Sequence, residues 1–234
     1  MRVLLCVSAL RISDAASSSD GLTSTVALFD SCKCCQPLLL EAAQRIRVLR
    51  FRLSNWKHKR AVKKRYDLTA RIYDVRYKEE QEAKYQAALA DAKPKGLVLD
   101  VGCGTGLFFN HVSSKAKNVI GIDISKNLLH LAAERAKILD NVNLVQADAD
   151  HLPFKNDVFN AIFAFTLLQN LPKPSETLTE LHRTARRGAA VTVTGLKKAF
   201  SLEALKELLC RAGLRFVSVK DEEKLKCYVV LSLK

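Results

Sequence analysis

The sequence of 234 residues contains no apolar run long enough to cross a membrane, so we expect no transmembrane helix. Residues 3–10 form a short apolar run after Arg2, but Arg11 interrupts it, which is not typical of a secretory signal. Apolar residues make up 48% of the chain and charged residues 26%, the balance of an ordinary globular protein. We therefore expect a cytoplasmic protein with one sizeable core.

The seven cysteines lack the even number and the regular spacing of a disulfide framework. Cys32, Cys34 and Cys35 lie close enough to ligate a soft metal, but no second pair of cysteines or histidines follows at zinc spacing. We therefore expect reduced thiols, as is usual in a cytosol, and no metal ion.

Acidic residues are absent from residues 45–65, a segment that begins with Arg45, ends with Arg65 and carries ten basic residues. The segment contributes a large part of the net charge of +14. It can attract a polyanion such as RNA, with Phe51 and Trp56 available for stacking. Alternatively, it is a solvated helix face that keeps the protein soluble. Nucleic-acid contact through this segment is therefore one hypothesis.

The order of the segments predicts three parts. Residues 1–56 are expected to be a weakly ordered or irregular extension that includes much of the basic segment. Residues 57–94 are expected to be a helical cap, with a long helix from about His58 to Ala92 that ends before Pro94. In residues 95–234 strand and helix patterns alternate, as in a doubly wound α/β domain. Residues 190–194 are its expected fifth strand, and residues 215–220 and 226–233 read as a final hairpin.

Three glycines at alternate positions follow an apolar strand that contains Asp100. The run Gly102, Gly104 and Gly106 has the spacing G-x-G-x-G, whereas the dinucleotide fingerprint is G-x-G-x-x-G. The loop also lacks the lysine and the serine or threonine of a P-loop. Glycines in such a turn let the backbone approach a ligand closely. The run therefore predicts a nucleotide-type cofactor site at the carboxyl edge of a parallel sheet.

One acidic residue stands at the carboxyl end of each of three successive predicted strands. Asp100 precedes the glycines, Asp123 ends residues 119–123, and Asp148 ends residues 142–148. Ligands of open α/β sheets bind at this edge, so three acids in register with a glycine loop indicate a binding site. A carboxylate at the end of the second strand can hold a ribose diol, although Asp123 could instead cap the helix near Ser125.

The segments VLDVGCGTG, VIGIDIS and NLVQADADHLPF resemble class I S-adenosylmethionine-dependent methyltransferases. They are most similar to the broad group that includes the ubiquinone and menaquinone biosynthesis methyltransferases. The resemblance implies a Rossmann-like, mostly parallel seven-stranded sheet with helices on both faces and an antiparallel last strand. It also implies S-adenosyl-L-methionine as cofactor and methyl transfer to an acceptor, which we expect to be a small molecule or RNA.

The resemblance also assigns residues to parts of the cofactor. The methionine part lies against Asp100 and the glycines, the ribose hydroxyls bind Asp123, and adenine binds Asp148 and the Ala149 backbone. The full set of implied cofactor-binding residues is Asp100, Gly102, Cys103, Gly104, Thr105, Gly106, Asp123, Ile124, Asp148, Ala149, Phe165 and Thr166.

No catalytic triad is visible, and transfer from a sulfonium requires none, because positioning of donor and acceptor supplies most of the acceleration. Residues 66–74 resemble the family's entry segment, which packs over the cofactor and brings an aromatic ring near the methyl group. Tyr66, Ala70 and Tyr73 also have the spacing of one face of an amphipathic helix, and the two interpretations are compatible. The candidates for a catalytic role are His151, Tyr73, Gln169 and Asn170.

Two positions depart from the family's pattern. Asn160 stands where members often have aspartate, and residues 186–189 read Arg-Arg-Gly-Ala where members usually have Lys/Arg-Pro-Gly-Gly. These departures leave room for a methyltransferase-like binding module that has lost its chemistry. An NAD-dependent oxidoreductase is a further alternative, but the glycine spacing and the absence of a catalytic tyrosine–lysine pair disfavour it.

Overall fold

The computed structural model describes residues 36–234, without the side chains of residues 36–53, Arg71 and Tyr73. The chain divides into two compact units, Met1–Arg52 and Leu53–Lys234, and the second holds the β-sheet. Cys32, Cys34 and Cys35, and residues 1–35 of the predicted extension, lie outside the described residues. Within the described residues, no group of His, Cys, Asp and Glu side chains has the arrangement of a metal site.

The first described element is a helix of 56 residues, α1, Gln36–Asp91. It begins well before His58, so the prediction of an irregular chain is wrong for residues 36–56. The cause is composition: leucine, alanine, glutamate, glutamine and arginine dominate residues 36–50, and these are good helix formers, while Pro37 is tolerated in a first turn. The helix ends where expected, shortly before Pro94, because a proline disfavours helical backbone in the preceding residue. The division into three parts stays a prediction.

Seven strands of the described chain form one sheet in the order β3-β2-β1-β4-β5-β7-β6. Strands β1 to β5 are parallel neighbours, and β7 is antiparallel to both β5 and β6. The predicted fold class and the terminal hairpin are thereby confirmed. The strands are β1 Leu97–Val101, β2 Asn118–Asp123, β3 Val142–Gln146, β4 Phe159–Ala164, β5 Ala185–Leu196, β6 Arg215–Lys220 and β7 Cys227–Leu233.

Helices cover both faces of the sheet. Successive strand residues point to opposite faces, so Val98 and Leu99 of β1 enter two different apolar clusters. One cluster receives Leu178 and Leu205 from two later helices, and the other receives Tyr85 near the carboxyl end of α1. These shorter helices are α2 Phe109–Val112, α3 Lys126–Ala136, α4 Pro174–Thr184 and α5 Leu202–Arg211.

Both departures from the family's pattern lie at structural positions. The Asn160 side-chain oxygen accepts the backbone N–H of Leu97 at 2.9 Å and so fixes the start of β1. Strand β5 extends beyond the expected residues 190–194 at both ends: Ala185 pairs with Phe159 of β4 before a register shift over residues 186–189, and Gly195 and Leu196 pair with β7. Gly188 stands in this irregular part with a φ of +76°. The altered residues therefore lie away from the carboxyl edge of the sheet.

No helix within residues 36–234 has the length and apolar character needed to cross a bilayer.

Gly106 leaves no room for a side chain, and we expect Gly106→Ala to destabilise the fold by about 3 kcal/mol, from left-handed backbone strain plus overpacking. Its φ is +77°, and an added Cβ would lie 2.4 Å from Cε2 of Phe109. Urea denaturation of the two proteins measures the difference.

Gly188→Ala is the matched control, because Gly188 has a φ of +76° but no atom within 4 Å of an added Cβ. It should cost only the backbone strain, about 1–2 kcal/mol. Equal losses of stability for the two variants would contradict the packing argument.

Candidate functional site

The glycine loop, residues 102–106, follows β1 and is fastened to β2. The backbone N–H groups of Gly102 and Cys103 both donate to the Ile122 carbonyl, at 2.8 and 2.9 Å. Gly102 and Gly104 have φ values of +73° and +57°, in the region that favours glycine. No atom lies within 4 Å of the position of a Cβ on Gly104, so the backbone there borders open space. The loop therefore presents bare backbone to the carboxyl edge of the sheet.

Asp100 is a buried carboxylate with an unused oxygen beneath this loop. It is 2% exposed, and its Oδ2 has no hydrogen-bond partner. Burial, together with the negative charge of Asp123, raises the pKa of Asp100 to about 8. Because buried polar groups are normally hydrogen-bonded, an orphaned carboxylate in a cleft indicates a place for a hydrogen-bonding or cationic ligand group.

Asp123 connects the glycine loop to the next helix. Its Oδ2 accepts the N–H of Gly104 at 3.0 Å, and its Oδ1 accepts the N–H of Ser125 at 2.8 Å. Burial raises the pKa of Asp123 although these backbone hydrogen bonds oppose the shift. Ser125, not Asp123, caps α3, because its hydroxyl accepts the N–H of Leu128. The Asp123 carboxylate therefore remains at the cleft.

Asp148 shares a lysine with Asp150. The Nζ of Lys59, on α1, lies 2.8 and 2.7 Å from the two carboxylate oxygens of Asp148 and 2.5 Å from Oδ2 of Asp150. Lys59 is only 9% exposed and Asp150 only 4%. The predicted adenine end of the site thus contains a cation that sequence reasoning had placed on a basic surface.

Helix α1 lies across the carboxyl edge and makes a polar contact near the end of each of four strands in turn. The contacting residues of α1 are seven or eight positions apart, which is about two helical turns, so they share one face. The contacts, in the order β3, β2, β1 and β4, are Lys59 with Asp148, Asp67 with Ser125, Asp74 with Thr105, and Gln81 with Thr166.

Three adjoining cavities lie between α1 and the sheet edge, and Gly102 lines all of them. Their volumes are about 70, 80 and 20 Å³. The first is lined by Ile124, Asp148 and Ala149, the second by Gly104, Asp123, Phe165 and Thr166, and the third by Asp100, Cys103 and Thr105. Eleven of the twelve predicted cofactor-binding residues therefore meet at this edge. The exception, Gly106, faces Phe109 and Ala132 instead.

Residues 99–193 match the family described as Methyltransferase domain. This part of the chain resembles a methyltransferase domain. A malonyl-[acyl-carrier protein] O-methyltransferase from Marinomonas sp. (strain MWYL1) is 30% identical over 150 residues, which are 62% of this chain and 55% of that protein. A demethylmenaquinone methyltransferase from Lactiplantibacillus plantarum is 36% identical over 98 residues, 39% of this chain and 41% of that protein. The chain thus spans about half the length of these curated relatives.

Solved structures show the same fold. A SAM-dependent methyltransferase from Aquifex aeolicus superposes with a TM-score of 0.60 at 21% identity, over 71% of this chain and 97% of the other. A putative methyltransferase in complex with the Haloferax volcanii Trm112 activator gives a TM-score of 0.61 at 16% identity, over 72% and 96%. The predicted resemblance to class I methyltransferases is confirmed.

The four catalytic candidates occupy different places relative to the three cavities. Asn170 lines two of the cavities, and its amide bonds to Arg65, Tyr66 and the Thr166 carbonyl. Gln169 is half-buried and lines none of the three cavities, and His151 is exposed at the surface. The side chain of Tyr73 lies outside the described residues. Of the three candidates whose side chains are described, only Asn170 lines these cavities, and its catalytic role stays a prediction.

Cys103 is not an activated nucleophile. Burial, with the nearby charges of Asp100 and Asp123, raises the pKa of its thiol well above the usual range. The thiolate is the reactive form of cysteine, and this environment disfavours it. Cys103 is therefore a small, neutral residue that lines the third cavity.

Tyr66, in the segment that the resemblance placed over the cofactor, lines the second cavity, but sequence reasoning missed the other residues that α1 contributes to the cavities. Lys59, Val62 and Tyr66 line the first two, and Gln81 and Tyr85 line the third. The regular spacing of Lys59, Asp67, Asp74 and Gln81 is a signal of one polar helix face. That spacing does not say which surface the face covers, so only residues 66–74, which the resemblance placed over the cofactor, could be assigned to this edge from the sequence.

We expect Asp100→Asn to stabilise the ligand-free protein more at pH 8 than at pH 5. The raised pKa means that the folded state holds the proton on Asp100 up to about pH 8, whereas the unfolded chain releases it near pH 4. This group's contribution to stability is therefore lost as pH rises between those values, at about 1.4 kcal/mol per pH unit, and asparagine removes that dependence. Urea denaturation at both pH values measures the difference.

The exposed Asp140, replaced by asparagine, is the control and should keep the pH profile of the unsubstituted protein. Parallel profiles for Asp100→Asn and the unsubstituted protein would refute the burial of a protonated carboxyl.

Proposed function

We propose that this chain binds S-adenosylmethionine and transfers its methyl group to a small-molecule acceptor. The single observation that carries this proposal is the orphaned, buried Asp100 oxygen beneath a glycine loop. A cofactor with an ammonium group and a sulfonium would supply a cationic partner for this carboxyl group. The matched methyltransferase family and the resemblance of the motif segments support the same cofactor.

The residues along the cleft fit successive parts of the cofactor. Asp100 would hold the ammonium group of the methionine part, Asp123 the ribose hydroxyls, and Asp148 with Ala149 the adenine. These residues line the inner, middle and outer cavities in that order. Each cavity is smaller than the roughly 300 Å³ of a usual small-molecule site. Entry of the cofactor therefore requires side chains of α1 to move away from the sheet edge.

The bound cofactor supplies a methyl group on an already activated leaving group. The chain has to place donor and acceptor at near-attack distance and keep water away. An aromatic cluster closes the inner end of the cleft: the ring centroids of Tyr85 and Phe165 are 4.8 Å apart, and those of Phe108 and Phe165 are 4.9 Å apart. These packed rings give the reacting end of the cleft a dry, rigid wall.

A small-molecule acceptor is favoured by the size of the cleft and by the relatives. Two relatives are named for methyl transfer to a malonyl-[acyl-carrier protein] and to demethylmenaquinone. The acceptor meets the cleft near Thr166 and Asn170, at the end of β4, where the cavity wall offers hydroxyl and amide groups. We infer that these groups orient the acceptor.

An RNA acceptor is the second candidate, and the exposure of the basic helix favours it. Lys57, Arg60 and Lys64 are exposed on α1, and the indole of Trp56 is 49% exposed beside them. Exposed cations next to an aromatic ring suit contact with a nucleic-acid backbone and a stacked base.

Transfer of labelled methyl from S-adenosylmethionine into a fractionated cell extract tests the proposal and separates the two acceptors. Label in the small-molecule fraction is the expected result. Label that nuclease treatment removes would instead establish the RNA acceptor. Tight binding of NAD without binding of S-adenosylmethionine, measured by calorimetry, would overturn the methyltransferase assignment.

We expect Asp123→Ala to weaken binding of S-adenosylmethionine by about 1.5–3 kcal/mol, the scale of charge-assisted hydrogen bonds. The reason is loss of the carboxylate that would bind the ribose hydroxyls. Isothermal titration calorimetry measures the change, and a thermal melt of each protein confirms that it is folded. Asp140→Ala removes the same charge from an exposed position and should bind normally. An unchanged dissociation constant for Asp123→Ala would refute the ribose role.

A further inference from the structure

Lys59 differs from the basic residues around it because its side chain is buried. Lys57, Arg60 and Lys64 on the same helix are exposed, whereas Lys59 is 9% exposed and lines the outer cavity with Asp148 and Ala149. Burial lowers the pKa of Lys59, but the hydrogen bonds and charges of Asp148 and Asp150 outweigh it, and the net shift is upward. Lys59 is therefore a permanent cation inside the site.

Asp148 and Asp150 compete for this one cation. Lys59 Nζ lies 2.7 Å from Oδ2 of Asp148 and 2.5 Å from Oδ2 of Asp150. Asp150 is also held by the Thr177 hydroxyl, and its backbone N–H donates to Oδ1 of Asp148 at 3.1 Å. The two carboxylates are therefore neighbours that share Lys59 as a common cation, and without it their mutual repulsion would turn one of them away.

The hydrogen bonds of Asp148 leave part of its acceptor capacity free. Its Oδ1 accepts from Lys59 and from the Asp150 backbone, and its Oδ2 accepts from Lys59. An ionised carboxylate has about four acceptor positions, so Asp148 retains one for a donor in the cavity that it lines. A fixed carboxylate with one remaining acceptor position suits an exocyclic amino group and disfavours a carbonyl oxygen.

We propose that Lys59 is a positioning residue that makes the site selective for an amino-substituted purine, by holding the Asp148 carboxylate oriented towards the cavity. The inference rests on the proposed function, because it concerns the adenine end of the same cofactor. Lys59 acts through Asp148 and takes no part in methyl transfer. A lysine that only fastened α1 to the sheet would affect all ligands of this site equally.

Calorimetry with two ligands tests this selectivity. The probes are S-adenosylhomocysteine and S-inosylhomocysteine, in which a carbonyl replaces the purine amino group. The unsubstituted protein should prefer the adenosine ligand by about ten-fold or more, the equivalent of one charge-assisted hydrogen bond. Lys59→Met should bring the ratio of the two dissociation constants close to one, whereas Lys59→Arg, which keeps the charge, should preserve most of it.

Lys64→Met is the matched control, because it removes the same charge from an exposed position of the same helix. It should keep the ratio of the unsubstituted protein. Lys59→Gln serves if Lys59→Met does not fold, since its amide is uncharged but still polar, and it should also lower the ratio.

The outcomes separate the two levels of the proposal. If the unsubstituted protein binds neither ligand, the proposed function fails and this inference fails with it. If it binds S-adenosylhomocysteine selectively and Lys59→Met or Lys59→Gln weakens both ligands by the same factor, Lys59 is only a structural fastener and this inference alone is overturned.

Discussion

The arrangement of the site depends on α1 lying across the carboxyl edge of the sheet. A parallel sheet leaves this edge open, with the turns after β1 to β4 side by side. The polar contacts from Lys59 to Gln81 join one helix face to these turns in the order in which the strands lie in the sheet. One segment of α1 therefore contacts the turns after all four strands and closes the cleft at their edge. The apolar packing of Tyr85 and Ala88 anchors the same helix at its other end.

The charges of the cleft are balanced at one end only. Lys59 compensates Asp148 and Asp150 at the outer end, whereas Asp100 and Asp123 have raised pKa values and form no ion pair with any described side chain. Ionising both of these buried acids is unfavourable in the ligand-free protein, so Asp100 keeps its proton up to about pH 8. A ligand that carries positive charge relieves this cost, so the asymmetry orients such a ligand with its cationic part towards Asp100.

Local pattern was sufficient to predict the sheet, the glycine loop and the edge acids, because each rests on periodicity or on residues adjacent in the chain. The partners of Lys59 and Asn160 could not be predicted, since they lie 89 and 63 positions away and depend on how elements pack. The start of α1 at Gln36 was not predicted, because residues 36–56, with their many basic residues, were assigned to an irregular extension although good helix formers dominate them. Gly106 lines none of the three cavities, and the space around it shows that its missing side chain serves packing against Phe109, so its place at the cofactor stays a prediction.

The net charge of +14 overstates the positive surface that a polyanion would meet on the described part of the basic segment. Within residues 54–65, Lys59 points inward to two acids, Lys63 pairs with Asp67 of its own helix, and Arg65 bonds to Asn170. The exposed cations that remain prominent there are Lys57, Arg60 and Lys64. Because counterion release scales with the number of phosphates neutralised, this short row supports fewer contacts than the count of basic residues suggests. The structure therefore shifts the balance from an RNA guide towards a helix whose basic residues partly serve the cofactor site.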